Sequence, residues 1–228
     1  MTSAPDGQGG LVAILGGTGN EGKGLAYRWA EAGRHVVIGS RTLEKAVAAA
    51  AGIEKMLSAG GHILGKTNRE AAASAAIVVV TVPYSGHRST LEGVRDVLPG
   101  KLLIDVTVPL VPPKVSTAQL PEAGSAAQEA QQIVGPQVAV ASAFQNISHE
   151  LLLSAREIDC DVLVTGSSKE ARAAALGLVA EAGLKGWDAG PLENSGVVEG
   201  LTSVLIHINK RYGSTHAGVR VTGVGQRS

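Results

Sequence analysis

Three glycines stand at the spacing Gly17-x-Gly19-x-x-Gly22, directly behind the apolar run Leu11-Val12-Ala13-Ile14-Leu15. The stripe that follows, Leu25, Trp29 and Ala32, has helical spacing and stops at Gly33, a residue that favours a helix end. In such a strand, turn and helix, the first glycine permits the tight bend and the second lets a pyrophosphate approach the backbone. The third lets helix pack closely on strand. The helix start offers unpaired N–H groups and a partial positive charge to phosphate oxygens. The implied ligand is a dinucleotide. Gly17 to Lys23 also match most of a P-loop, with Asp105 behind Leu102-Leu103-Ile104 as its distant carboxylate. Gly24, however, stands where a Ser or Thr would hold Mg²⁺, so that site lacks its metal ligand.

A second strand, His35-Val36-Val37-Ile38-Gly39, closes a βαβ unit of about thirty residues. Strands that bind NAD end here in Asp or Glu for the ribose 2′-hydroxyl, whereas this one ends in Ser40-Arg41-Thr42 with Lys45 one helical turn on. A carboxylate would repel a 2′-phosphate. A hydroxyl, a guanidinium and an ammonium form charge-assisted hydrogen bonds to it, worth roughly 1.5–3 kcal/mol each. The expected coenzyme is NADP, preferred over NAD by about 10- to 100-fold. Ser40 and Thr42 are also placed to cap a helix over Leu43–Leu57.

Side chains for acid–base work are sparse. None of Tyr27, Tyr84 and Tyr212 has a lysine four residues later, so the Tyr-x-x-x-Lys pair of short-chain dehydrogenases is missing. Neither His-x-x-x-His nor Cys-x-x-Cys offers a metal site. His149 beside Glu150 is the one candidate couple, but sequence neighbours do not face each other on a helix, and His149 serves equally as a helix-start residue. His87, in Ser85-Gly86-His87-Arg88, reads as a helix start or a pocket rim. We assign no catalytic side chain and no metal ligand.

The elements that must position these residues alternate. Ala76–Val82 is a β-branched run of the kind buried on both sheet faces, and it ends at Pro83. A short strand is expected at His62–Gly65, and others at Lys101–Val106 and Val138–Ser142. Helices are expected over Asn68–Ser74, Leu91–Leu98 and Ser125–Val134. Asp161–Thr165 and Lys185–Asp188 flank a helix over Ser168–Ala182. Val106–Gly124 holds Pro109, Pro112, Pro113 and Pro121 and reads as a long functional loop. A last helix carries Val197, Leu201, Val204, Leu205 and Ile208 behind an Asn194 or Ser195 cap, and the tail from Gly213 packs on the sheet or on a second subunit. The fold class is α/β, a Rossmann-type doubly wound parallel sheet with a small C-terminal helical and β appendage, divided as 1-147 and 148-228. Ligands of such sheets lie beyond the carboxyl ends of the strands. The Gly16–Gly22 turn, Thr81-Val82-Pro83-Tyr84, Val106-Thr107-Val108-Pro109 and Ala143-Phe144-Gln145-Asn146 therefore converge on one crevice. Its apolar lining suits a flat ring better than a charged substrate.

The 20 basic residues balance 20 acidic ones and only 3% of residues are aromatic, which excludes a nucleic-acid footprint. The first residues form no signal peptide, and no apolar stretch reaches the roughly eighteen residues a membrane span requires. Cys160 is the only cysteine, so no internal disulfide forms. A cytoplasmic protein without nucleic-acid or membrane partners is expected.

Three blocks resemble the NADPH-dependent reductases of coenzyme F420, a 5-deazaflavin: Leu15 to Ala26, Val37-Ile-Gly-Ser-Arg41, and Asp188-Ala-Gly-Pro-Leu-Glu-Asn-Ser195 leading to Val198-Glu-x-Leu-Thr202. The last block is the most specific. The resemblance implies a homodimer passing hydride between NADPH and F420. It places NADP at Gly17, Thr18, Gly19, Asn20, Ser40 and Arg41, and the nicotinamide near Thr81, Val82 and Pro83; Glu21 and Lys45 are counted as cofactor-binding beside them. The deazaflavin falls near Val108, Pro109, Asn146 and Ile147, and Ser195 is counted as a further cofactor-binding residue. Archaeal members carry Trp where Tyr84 stands and a His-Thr-Ile-Pro-Ala run where Gln145 to His149 stand. Rival readings are an NADPH-dependent reductase of an imine or small carbonyl, which usually appends a longer helical domain, and a non-catalytic NADP-binding redox sensor.

Overall fold

The computed structural model describes residues 10–58, 61–154 and 156–224. The first nine residues, where no signal peptide is read, and the end of the tail lie outside the described residues. Eight strands form one sheet: β1 (Val12–Leu15), β2 (Val36–Ser40), β3 (Ile63–Thr67), β4 (Ile77–Val80), β5 (Leu102–Asp105), β6 (Ala139–Ser142), β7 (Asp161–Gly166) and β8 (Lys185–Pro191). Their spatial order is β3-β2-β1-β4-β5-β6-β7-β8. The first six are mutually parallel, as a doubly wound sheet requires.

Among the described residues, eight α-helices accompany the sheet: α1 (Asn20–Glu31), α2 (Leu43–Glu54), α3 (Asn68–Ser74), α4 (Tyr84–Glu92), α5 (Ala126–Val134), α6 (His149–Leu152), α7 (Lys169–Glu181) and α8 (Ser195–Tyr212). Strand side chains alternate between the faces. Val12, Ile14, Val36 and Ile38 join Leu25, Trp29, Ala46 and Leu178 in one core. Ala13, Leu15, Val37 and Val80 join Ala71, Leu91 and Ala130 in the other. Trp29 is fully buried, donates from Nε1 to the Leu178 carbonyl at 2.8 Å and meets Phe144 edge-on at 5.8 Å.

Three features differ from the sequence expectation. The helix expected over Leu91–Leu98 lies earlier, at α4, because Pro83 supplies the preset backbone from which a helix can start; only a 3₁₀ turn, Arg95–Val97, follows. The helix expected over Leu43–Leu57 stops at Glu54. Finally, the C-terminal part continues the sheet through β7 and β8 instead of hanging from it: β7 runs antiparallel to β6 through Ala141 with Gly166 and Ser142 with Thr165, and β8 is parallel to β7. This reversal puts Asp161, the first residue of β7, beside Asn146 at the ligand edge. The tail packs there on the sheet. The Asp161 N–H donates to the Val219 carbonyl, and the Val221 N–H to the Asp161 carboxylate, each at 2.8 Å.

Candidate dinucleotide and second-ring site

The glycine turn joins β1 to α1. The Gly17 N–H donates to the Gly39 carbonyl at 3.1 Å and ties the turn to β2, and Gly19 occupies the cap position of α1 with no side-chain hydrogen bond to the helix. The first amides of α1 are thus left for an anion. Gly22 is in ordinary helical backbone, yet a Cβ there would lie 2.6 Å from Gly17 Cα and 2.7 Å from Thr81 Oγ1. Space, not backbone conformation, requires glycine at this position. Thr81 donates from both its N–H and its hydroxyl to the Leu15 carbonyl, at 3.0 Å each, so the ends of β1 and β4 are locked together beneath the turn.

One cleft of about 400 Å³ runs along these elements. Thr18 and Gly19 line it with Ser40, Arg41 and Lys45 toward one end and Thr81, Val82 and Pro83 toward the other. Arg41 and Lys45 are exposed, and Ser40 is buried with its Oγ accepting the Thr42 N–H at 3.3 Å. Thr42 occupies the cap position of α2 without a side-chain bond, so the anticipated hydroxyl cap is replaced by this shorter turn. Asn68, at the start of α3, lines the same cleft and escapes a reading of the sequence because no motif marks it.

Behind the Thr81–Pro83 wall lies a buried polar cluster. His87, on α4, is fully buried with Nε2 2.6 Å from Asp105 Oδ2 at the end of β5, and the other Asp105 oxygen accepts the Thr107 N–H at 2.9 Å. Burial opposes a charge on His87, but Asp105 outweighs it and raises the imidazole above its ordinary value. His87 is therefore no pocket rim, and Asp105 is no Walker carboxylate. Glu129 accepts from the Tyr84 hydroxyl at 2.9 Å and from Arg88 at 2.6 Å; desolvation and this carboxylate push Tyr84 up to about 12. Glu199, fully buried on α8, accepts the Ala126 and Ala127 N–H groups at 2.8 and 3.1 Å. It joins α8 to the open start of α5.

A second cavity, about 380 Å³, lies among Gln145, Asn146, Ile147 and His149 on one side and Thr202 and Leu205 of α8 on the other. Asn146 is buried and donates to the Asp161 carbonyl at 2.7 Å. Its Oδ1 and Gln145 Oε1 are buried without a partner among the described residues. Asn20 Nδ2, at the start of α1, stands 3.4 Å from His149 Nε2 on the rim of this cavity. His149 begins α6, whereas Glu150 is exposed and faces His216 at 3.6 Å, so the two do not form an acid–base couple. Val108 is half-buried and Pro109 buried just past β5.

Two expected site residues have other surroundings. Ser195 is fully buried with its hydroxyl 2.5 Å from Thr165 Oγ1. It fastens α8 to β7 and presents no group to either cavity, a correction that follows from β7 folding back under α8. Glu21, in the first turn of α1, has Oε1 buried without a partner among the described residues, and burial pushes its carboxyl up to about 8.

The fold and this cleft define a dinucleotide-binding protein of the Rossmann class. The pattern of the family described as NADP oxidoreductase coenzyme F420-dependent matches residues 11–109. The chain is 40% identical over 227 residues to an F420-dependent NADP reductase of Methanothermobacter thermautotrophicus, covering 95% of this chain and 96% of that one. It is 36% identical to one of Methanocaldococcus jannaschii, covering 93% and 98%. The chain belongs to the F420-dependent NADP reductase family. A crystal structure from Arthrobacter sp. FB24 superposes with a TM-score of 0.75 at 23% identity over 93% of this chain and 99% of that chain. An imine reductase from Myxococcus stipitatus shares the fold with a TM-score of 0.59 at 19% identity; the match covers 90% of this chain but 62% of the imine reductase.

Proposed function

We propose that this chain transfers hydride between NADP(H) and the deazaflavin coenzyme F420. The observation that carries the proposal is the continuous cleft from Arg41 and Lys45, past the uncapped start of α1, to Thr81-Val82-Pro83. It has cations for a 2′-phosphate at one end, free amides for a pyrophosphate in the middle and an apolar wall for a ring at the other. The second cavity, between residues 145–149 and α8, supplies a place for the other ring. Nicotinamide C4 and deazaflavin C5 both carry hydride at carbon, so no acid–base side chain is required. The protein stacks the rings at about 3–3.5 Å and keeps water out. The dyad of His87 and Asp105 supports this stacking, because it pins α4, which follows Pro83, to the end of β5, which leads to Val108 and Pro109.

The imine-reductase reading requires the part of that chain which has no counterpart here, and a redox sensor would bind NADPH without turnover. Mixing the purified protein with NADP and reduced F420 is expected to restore the deazaflavin's visible absorbance, and NADPH with oxidised F420 to bleach it. NADPH binding with no absorbance change in either direction would overturn the proposal.

We further propose a homodimer formed through α8. Val197, Val204, Ile208 and Tyr212 share one face of the helix, and Val197 and Tyr212 are 74% and 77% exposed. Leu120, 61% exposed on the loop before α5, lies beside Gly196 at the start of the same helix. Light scattering is expected at twice the 23.1 kDa chain mass, and the single-chain mass would refute this assembly. Among the described residues no helix is long and apolar enough to cross a membrane; a cytoplasmic location is part of the same proposal.

A further inference from the structure

We infer that Asn68 is a coenzyme-specificity residue, holding the glycine turn through its side-chain oxygen and donating through its side-chain nitrogen to the 2′-substituent of the coenzyme's adenosine ribose. This rests on the NADP reading above. Three observations lead to it. First, the residue is anchored: the capping box of α3 places it, with Thr67 Oγ1 accepting the Glu70 N–H at 3.3 Å and Glu70 Oε2 accepting the Thr67 N–H at 3.1 Å. Second, its amide is oriented. Gly16 N–H points at the Asn68 side chain with 3.3 Å between nitrogen and Oδ1. Only an acceptor can stand there, so the oxygen faces Gly16 and the nitrogen faces the other way. Third, its position is close-fitted to the end of β2. A Cβ on Gly39 would lie 2.9 Å from Asn68 Oδ1 and 3.2 Å from its Cα. Gly39 thus stays bare for Asn68 to sit beside Ser40 and Arg41.

Arg41 and Lys45 are long and exposed, and they attract any nearby phosphate. Asn68 is short and fixed, and it faces the same cleft. An oriented donor at fixed distance from the β2 end recognises an oxygen at one place, which is what separates a ribose 2′-phosphate from charge attraction alone.

Asn68→Asp separates the two halves of the role. An aspartate oxygen still accepts the Gly16 N–H, so the turn keeps its anchor, but the donor becomes a carboxylate. That group repels a 2′-phosphate and accepts a ribose 2′-hydroxyl, as the acidic residue of NAD-binding folds does. Titration calorimetry with NADP and with NAD on the purified full-length chain is expected to show NADP binding weakened about 10- to 100-fold and NAD binding unchanged or tighter. The ratio of the two affinities, taken on one sample, holds even where the variant is partly unfolded. Equal weakening for both coenzymes would reduce Asn68 to a turn anchor, and unchanged NADP binding would show that it does not meet the coenzyme; either result overturns the inference. Arg41→Ala serves as the reference and loses NADP affinity by a similar factor while NAD is spared. A wild-type chain that binds neither coenzyme would fail the NADP reading itself, before Asn68 is tested.

Discussion

Gly22→Ala is expected to weaken NADPH binding more than about 100-fold, a loss of roughly 2.7 kcal/mol. The added Cβ would lie 2.6 Å from Gly17 Cα, 3.1 Å from Gly17 C and 2.7 Å from Thr81 Oγ1. Two of those atoms are backbone of the turn proposed to hold the pyrophosphate, and Thr81 is itself tied to the Leu15 carbonyl. None of them can rotate away. The strain is relieved by moving the start of α1 off β1 and β4, which carries the open amides away from the ligand. Gly52 in α2 and Gly177 in α7 make the control, because a Cβ at either meets nothing within 4 Å. Alanine there is expected to leave binding intact and to stabilise the chain by up to about 1 kcal/mol through the helix backbone. Fluorescence titration with NADPH, beside thermal melts of all three variants, checks both. Wild-type affinity in Gly22→Ala would show that the ligand does not lie against this turn.

The parts of the site that could be read from the sequence are those whose cause is local. The apolar run of β1, the glycine spacing and the Leu25–Trp29–Ala32 stripe each encode one backbone geometry over a few residues. The same holds for Ser40, Arg41 and Lys45, which follow a run too apolar to be anything but a buried strand. Other parts depend on pairings across the chain. Asp105 ends an apolar run and so attracts a chemical interpretation, but His87, which faces it, stands 18 residues away on a helix whose start at Pro83 carried no apolar stripe. Asn68 owes its place to Gly16, 52 residues distant. Phe144 leaves β6 with a φ of 73°, a conformation no phenylalanine advertises, and past that turn Gln145 donates back to the Asp105 carbonyl while Asn146 donates to the Asp161 carbonyl on the antiparallel β7. The inward position of Ser195 follows from the same reversal. Alternation of strand and helix predicts the layers; it does not say when a strand turns back.

Glu21→Gln is expected to raise the melting temperature at about pH 8–9 and to leave it almost unchanged near pH 4. Burial pushes the folded carboxyl up to about 8 from an ordinary value of 4.5. Between those values the folded chain holds a proton that the unfolded chain has released, so the wild type loses stability as pH rises through that window. Below it both states are protonated and the penalty vanishes. Glutamine is neutral throughout and removes the slope. Part of the Glu21 side chain reaches the surface, where solvent relaxes the charge, so the gain is put at about 1–2 kcal/mol, or roughly 2–8 °C for a chain of this size. Glu199, pushed up to about 8 by its own burial, titrates in both proteins and cancels from their difference. The coenzyme sharpens the contrast: a pyrophosphate at the start of α1 further disfavours ionisation of Glu21, so NADPH binding by the wild type takes up protons at alkaline pH and binding by Glu21→Gln does not. Melting curves of the two proteins that run parallel from pH 5 to about pH 9 would show that the carboxyl ionises freely in the folded chain, and that its place in the first turn of α1 puts no pH limit on the grip of the glycine turn.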